Sequence, residues 1–121
     1  ALQEYSKAKE ISPNYAEVYN SRGITKSNLS NKKGAIQDFN KAIKLDPNFA
    51  KAYHNRSSSK GSRGDYKGAI QDYNKAIELN PKYADAYLGR GLSKGSLGDD
   101  YYALQDQKTT LDVNLNVAEA Y

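Results

Sequence analysis

The chain repeats itself every 34 residues, and that period decides what it can fold into. Pro13, Pro47 and Pro81 fall in register, as do Ala16, Ala50, Ala84 and Ala118. Tyr19, Tyr53, Tyr87 and Tyr121 do the same. The segments GAIQDFNKAIKLDP and GAIQDYNKAIELNP are nearly identical. Self-similarity at a fixed period of this size is the signature of a stacked array, in which each unit buries its apolar face against its neighbours. A hydrophobic content of 38% is low for a compact globule, but such an array tolerates it.

Each unit reads as two helices. The expected helices cover roughly 16–29 and 33–45, then 50–63 and 66–79, then 84–97 and 100–113. Gly64-Asp65 and Gly98-Asp99 split the second and third pairs, because glycine accepts left-handed geometry and aspartate caps the helix that follows. Residues 30–33 form the corresponding turn in the first pair. Tyr53, Arg56, Ser57 and Lys60 share one helical face, and Tyr66, Ala69, Tyr73, Ala76 and Ile77 share another. No stretch alternates in the manner of a strand. Proline then closes each unit, since it cannot continue a helix and biases the preceding residue away from one. The units run 14–46, 47–80 and 81–114, all in one solenoid domain. Residues 1–13 match the second helix of a truncated unit, and 115–121 match the start of a truncated next one. The third unit drifts: Gln107 stands where Phe39 or Tyr73 should recur, Thr110 where Ala42 or Ala76 should, and Leu115 where proline should. The chain is expected to be a fragment of a longer array.

The 121 residues carry a formal net charge of +4, spread along the chain, which does not by itself argue for nucleic acid. No cysteine is present, so disulfide and thiolate chemistry are excluded. No apolar run approaches the roughly 20 residues that span a bilayer. No feature names a compartment, and the cytoplasm is the default.

Taken together, these residues resemble a tetratricopeptide repeat array, and the resemblance covers essentially the whole chain. Small residues stand where paired helices cross: Gly23, Ser57 and Gly91 in first helices, and Ala35, Ala69 and Ala103 in second helices. Aromatics such as Tyr53 and Tyr73 fill the space between, and Pro47 and Pro81 close units. The resemblance implies an all-α, right-handed solenoid of antiparallel helix pairs. Two departures stand out. Arg22, Arg56 and Arg90 replace the usual leucine before the small crossing residue, and Lys26, Lys60 and Lys94 replace an aromatic three residues after it. Asp38, Asp72 and Asp106 recur in the second helices. Each arginine is expected to pair with the aspartate of its own unit across the helix–helix seam, because its planar fork suits a carboxylate.

Little in the sequence points to catalysis. His54 is the only histidine and has no evident co-ligands, so neither metal nor cofactor is expected, and His54 reads as a solvated helix residue or a ligand contact. Asp99-Asp100 reads as a break and a cap. The many serines lack a base with an orienting acid, and the glycines never form a phosphate loop. Asn28-Leu29-Ser30 and Asn55-Arg56-Ser57 fit the glycosylation sequon but lie on expected helices. No enzymatic activity is expected.

In the resembled family the first helices line a concave groove for a peptide or another protein. Carried over, that face holds Glu17, Asn20, Ile24 and Ser27; then Lys51, His54, Asn55, Ser58 and Gly61; then Asp85, Leu88, Leu92 and Gly95. Stripes at i, i+3, i+7 lie on one side of a helix. The expected role is a protein–protein interaction scaffold. One alternative is RNA binding through the lysine and arginine ladders, held unlikely because aspartates interleave with them. Others are a structural spacer, or head-to-tail self-association through the faces of Leu2/Tyr5 and Val117/Tyr121. One branch of the family grips the acidic C-terminal tails of heat-shock chaperones with lysines, asparagines and an arginine. The matching sites here are Asn20, Ile24, Asn55, Asp85 and Gly89; only Asn55 fits, so no such binding is expected.

Overall fold

A computed structural model describes residues 14–120. The expected helix over 1–13, and the faces of Leu2, Tyr5 and Tyr121, lie outside the described residues. Among these residues there are six helices and no strand: α1 (Asn14–Asn28), α2 (Lys32–Leu45), α3 (Ala50–Ser62), α4 (Tyr66–Leu79), α5 (Ala84–Ser96) and α6 (Asp100–Ala120). Each helix packs on the next in the chain, and the first helices also touch one another, α1 on α3 and α3 on α5. That pattern is a stack of helical hairpins with the first helices side by side along one face.

The turns within hairpins share one construction. A residue takes left-handed geometry: Ser30 at φ 65°, Gly64 at 86° and Gly98 at 87°. The next residue caps the following helix. Asn31 accepts from the Gly34 backbone N–H at 3.0 Å, and Asp65 from that of Gly68 at 3.0 Å. Asp99 accepts from the Tyr102 backbone N–H at 3.4 Å. Ser30-Asn31 therefore does in the first unit what Gly-Asp does in the others. Between units, Asp46 and Asn80 leave the helix in extended geometry just before proline. Their side chains then accept from the backbone N–H groups of Asn48 (3.1 Å) and Lys82 (3.2 Å), forming Asx turns. The tyrosine hydroxyls of the next helix complete the link: Tyr53 donates to the Pro47 carbonyl at 3.1 Å and Tyr87 to that of Pro81 at 3.0 Å.

The hairpins close because small residues meet at their crossings. Ala35, Ala42, Ala69 and Ala76 are fully buried, and Ala103 nearly so. A Cβ on Gly23 would stand 2.5 Å from Cε1 of the buried Phe39 ring; one on Gly91 would stand 3.0 Å from the Ala103 carbonyl oxygen. Ser57 fits the equivalent site by turning its hydroxyl back onto the Tyr53 carbonyl at 2.8 Å. Ala69, Tyr73, Ala76 and Ala86 form one core cluster, with Tyr53, Ile77 and Tyr83 packed on it.

One expected boundary is not observed. The last helix was expected to end near residue 113, but α6 runs on to Ala120. The earlier second helices end at Asp46-Pro47 and Asn80-Pro81, whereas here Asn114 is followed by Leu115, which keeps its backbone donor and does not clash with the preceding turn. The unit's drift from the pattern thus includes loss of its stop signal.

Two substitutions test this geometry by denaturant melting. Gly23→Ala is expected to destabilise by about 1–3 kcal/mol, because Phe39 has nowhere to move. Ser30→Gly is expected to stabilise by about 0.5–1 kcal/mol by relieving left-handed strain, less some gain in unfolded-chain freedom.

Candidate functional site

The two faces of the first helices do different work. One faces the second helix of its own hairpin, and there the arginines lie. Arg22 grips Asp38 with Nε at 2.9 Å and Nη2 at 2.8 Å. Arg56 grips Asp72 at 2.7 Å through both nitrogens, and Arg90 grips Asp106 at 2.9 and 2.8 Å. A lysine one turn on reaches the same carboxylate: Lys26 at 3.1 Å, Lys60 at 2.9 Å and Lys94 at 3.5 Å. The guanidinium carbons also lie over Tyr19, Tyr53 and Tyr87, 5.3, 5.6 and 5.4 Å from the ring centres. All three aspartates are buried. The Arg22 side chain donating to Asp38 is the main reason that this carboxyl sits below its ordinary range; burial opposes this and Lys26 adds to it.

The spare nitrogen of each arginine couples one unit to the next. Nη1 of Arg56 donates to Asn40 Oδ1, and Nη1 of Arg90 to Asn74 Oδ1, both at 2.9 Å. Sequence reading missed these links. Their signal was available: Asn40 and Asn74 are themselves 34 residues apart, and Lys108 breaks the series.

The opposite face of the first helices holds the expected groove residues. Asn20 and Asn55 meet there, Asn55 Nδ2 donating to Asn20 Oδ1 at 2.9 Å, although they sit on different units. Asn20 is 94% buried by this contact, which makes it more a brace than a free hydrogen-bonding group. Ser27 is engaged locally, accepting from Lys32 Nζ at 2.7 Å. Ile24, Leu88 and Leu92 are exposed, as are Glu17, Lys51, Ser58 and Asp85. A depression of about 580 Å³ lies at the N-terminal ends of α1 and α3, lined by Glu17, Asn20, Ser21, Phe49, Ala50, Lys51, Asn80 and Tyr83. A second, of about 330 Å³, lies toward the other end, with Ser58, Gly61, Tyr73, Gly89 and Leu92 among its lining residues. Gly89 matters there: a Cβ would collide with the Tyr73 ring, whose hydroxyl sits 3.2 Å from Ser58 Oγ.

His54 differs from its expected solvated state. It is partly buried, stacked on Tyr83 with ring centres 5.1 Å apart and edge-on to Tyr73 at 5.7 Å. Tyr83, recurring in register with Phe49, follows the turn after α4 and covers the ring. Burial is the main cause that lowers the His54 pKa, against the raising effects of Asn55 and Asp85. Burial likewise pushes the Tyr83 hydroxyl up to about 12. Among the described residues no three His, Cys, Asp or Glu side chains gather as a metal would need, and no helix is long and apolar enough to cross a membrane.

Two family profiles match this arrangement, one described as "Tetratricopeptide repeat" over residues 16–49 and one as "TPR repeat" over 62–98. The chain belongs to the tetratricopeptide repeat family. Solved arrays superimpose closely on it. The MamA crystal structure is 28% identical at a TM-score of 0.83, covering 89% of this chain and 63% of that one. The present chain therefore spans less than two thirds of MamA. The first TPR of Spaghetti (RPAP3), bound to the HSP90 peptide SRMEEVD, is 26% identical over 87% of this chain and 83% of that one, with a TM-score of 0.84. The TPR2B domain of yeast Sti1 in its pHsp70 complex is 25% identical over 87% and 84%, also at 0.84. No curated protein matches the sequence.

Two features of the tetratricopeptide array are directly measurable. A double-mutant cycle on Arg56→Ala and Asp72→Ala is expected to show a coupling of about 1–3 kcal/mol in melting experiments, since the carboxylate is buried while the arginine side chain remains 19% exposed. Strictly additive losses would mean that the pair does not interact. For His54 the lowered folded-state pKa means that the unfolded chain binds the proton more readily. Stability is therefore expected to fall as pH drops below about 6.5 toward the folded value, and His54→Gln is expected to flatten that part of the pH–stability profile.

Proposed function

We propose that this tetratricopeptide array is a protein–protein interaction scaffold that holds a peptide or protein segment against the first helices. The observation that carries the reading is the contrast between the two faces of those helices. The seam face is closed by salt bridges and ring packing. The groove face keeps Ile24, Leu88 and Leu92 in solvent, and it carries two depressions lined by amides, hydroxyls and aromatic rings, Leu92 lining one of them. Exposed apolar side chains flanked by groups able to bond a backbone are what an extended segment needs. Solved relatives at 25–28% identity, two of them in peptide or Hsp70 complexes, support a groove of this kind. The family's fold is typically an interaction scaffold, and no residue here is assigned a catalytic role.

The RNA reading loses its motive. It rested on the Arg22/Arg56/Arg90 and Lys26/Lys60/Lys94 ladders, and those side chains are spent on Asp38, Asp72 and Asp106. The acidic chaperone tail also remains a poor ligand: Asn55 is engaged with Asn20, and Asp85 would repel a carboxylate.

Selection of random peptides on the folded protein tests the groove. Selected peptides are expected to lose at least about tenfold in affinity to Leu92→Arg, while Gln71→Arg on the exposed side of α4 leaves it unchanged. Equal binding to all three proteins would place the contact elsewhere.

A further inference from the structure

One charged residue per unit opens the groove at the same register: Glu17 on α1, Lys51 on α3 and Asp85 on α5. All three are exposed, and among the described residues none forms an ion pair. Each lies in the first turn of its helix. There the helix dipole favours a carboxylate and disfavours an ammonium. Glu17 and Asp85 therefore have a local structural explanation, and Lys51 does not. Lys51 instead lines the larger depression with Glu17, and Phe49 and Tyr83 line it too.

Resting on the groove reading above, we infer that the ligand is an extended peptide segment of alternating charge, basic–acidic–basic, laid across the three first helices. The acidic residue meets Lys51, and the basic residues meet Glu17 and Asp85. Neighbouring helices pack about 8–10 Å apart, and an extended chain in polyproline II geometry rises about 3.1 Å per residue with three residues per turn. Charges about three residues apart on the ligand therefore fall on one side of it and match that spacing. Phe49 and Tyr83 offer apolar surface along which the stem of a ligand lysine can lie. The partners in the two peptide-bearing relatives give no support for this order; it rests on the charges of this chain alone.

Two fluorescein-labelled peptides test it by anisotropy: Lys-Ser-Leu-Glu-Ser-Leu-Lys and its charge mirror Glu-Ser-Leu-Lys-Ser-Leu-Glu, both blocked at their ends. The protein carries a net charge of +4, so general attraction favours the mirror peptide. The basic–acidic–basic peptide is nonetheless expected to bind about fivefold or more tightly. In the exposed-site triple variant Glu17→Lys/Lys51→Glu/Asp85→Lys the order is expected to invert. Equal affinities, preference for the mirror peptide, or an order unchanged in the triple variant would overturn the inference. So would absence of binding by either peptide at about 1 mM. The groove reading is scored separately with Leu92→Arg. If both peptides bind alike and both are lost in that variant, the charge order fails and the groove stands. If their binding ignores that variant, the groove itself fails.

Discussion

The hairpins of this array are held by a carboxylate buried between two helices. Burying a carboxylate is costly unless its lone pairs are filled. Each of Asp38, Asp72 and Asp106 receives two parallel bonds from an arginine fork and a third contact from a lysine. That geometry sets the register of the pair, since sliding either helix by a turn would strand the charge. The tyrosine under each guanidinium limits the fork's freedom further. The same arginine then spends its remaining nitrogen on the preceding unit, so the interaction that closes one hairpin also joins it to its neighbour. Arg22 shows the contrast. Its side chain is 58% exposed, against 19% for Arg56 and Arg90, and no asparagine contact of this kind is described for it.

Much of this was written in the period of the sequence. Gly23, Ser57 and Gly91 could be placed at crossings because tiny residues recurred there, and proline fixed where α2 and α4 stop. The Arg–Asp pairing was legible because both partners recurred with the same spacing and a complementary chemistry. What escaped were contacts whose period is regular but whose chemistry is ordinary. Asn40 and Asn74 look like any exposed helix asparagine until the arginine of the next unit arrives. Ser30 gives no hint of a left-handed turn, because only its position, and not its type, demands one. The cover over His54 has no local signal, since the ring that supplies it, Tyr83, comes from beyond the next helix. The Asn20–Asn55 brace, between two residues proposed for the groove, was not legible.

The division of labour between the two helix faces follows from these choices. Because polar pairing and small crossings already fix the hairpins, part of the outward stripe of each first helix is left in solvent. Gly89 lets the Tyr73 ring come up against α5, and Ile24, Leu88 and Leu92 remain exposed. One polar atom shows how tight the inner face is by comparison. Ser59 is 99% buried and its hydroxyl meets no partner. Such a group costs on the order of 1–3 kcal/mol.

The third unit departs from the first two at several positions of α6. On α6 the aromatic register holds the exposed Gln107, and the alanine register holds Thr110, whose hydroxyl turns back to the Asp106 carbonyl at 2.9 Å. Lys108 occupies the place of Asn40 and Asn74, so an arginine brought there by a following hairpin would face an ammonium instead of an amide oxygen. Without proline at 115 the helix continues through Asn114, where the earlier ones end in an Asx turn. The asparagine acceptor and the proline turn that couple earlier units are therefore altered on α6, while the Arg90–Asp106 grip inside the hairpin is kept. Closure of a hairpin and its coupling to a successor are separable in this array, and only closure is common to all three units.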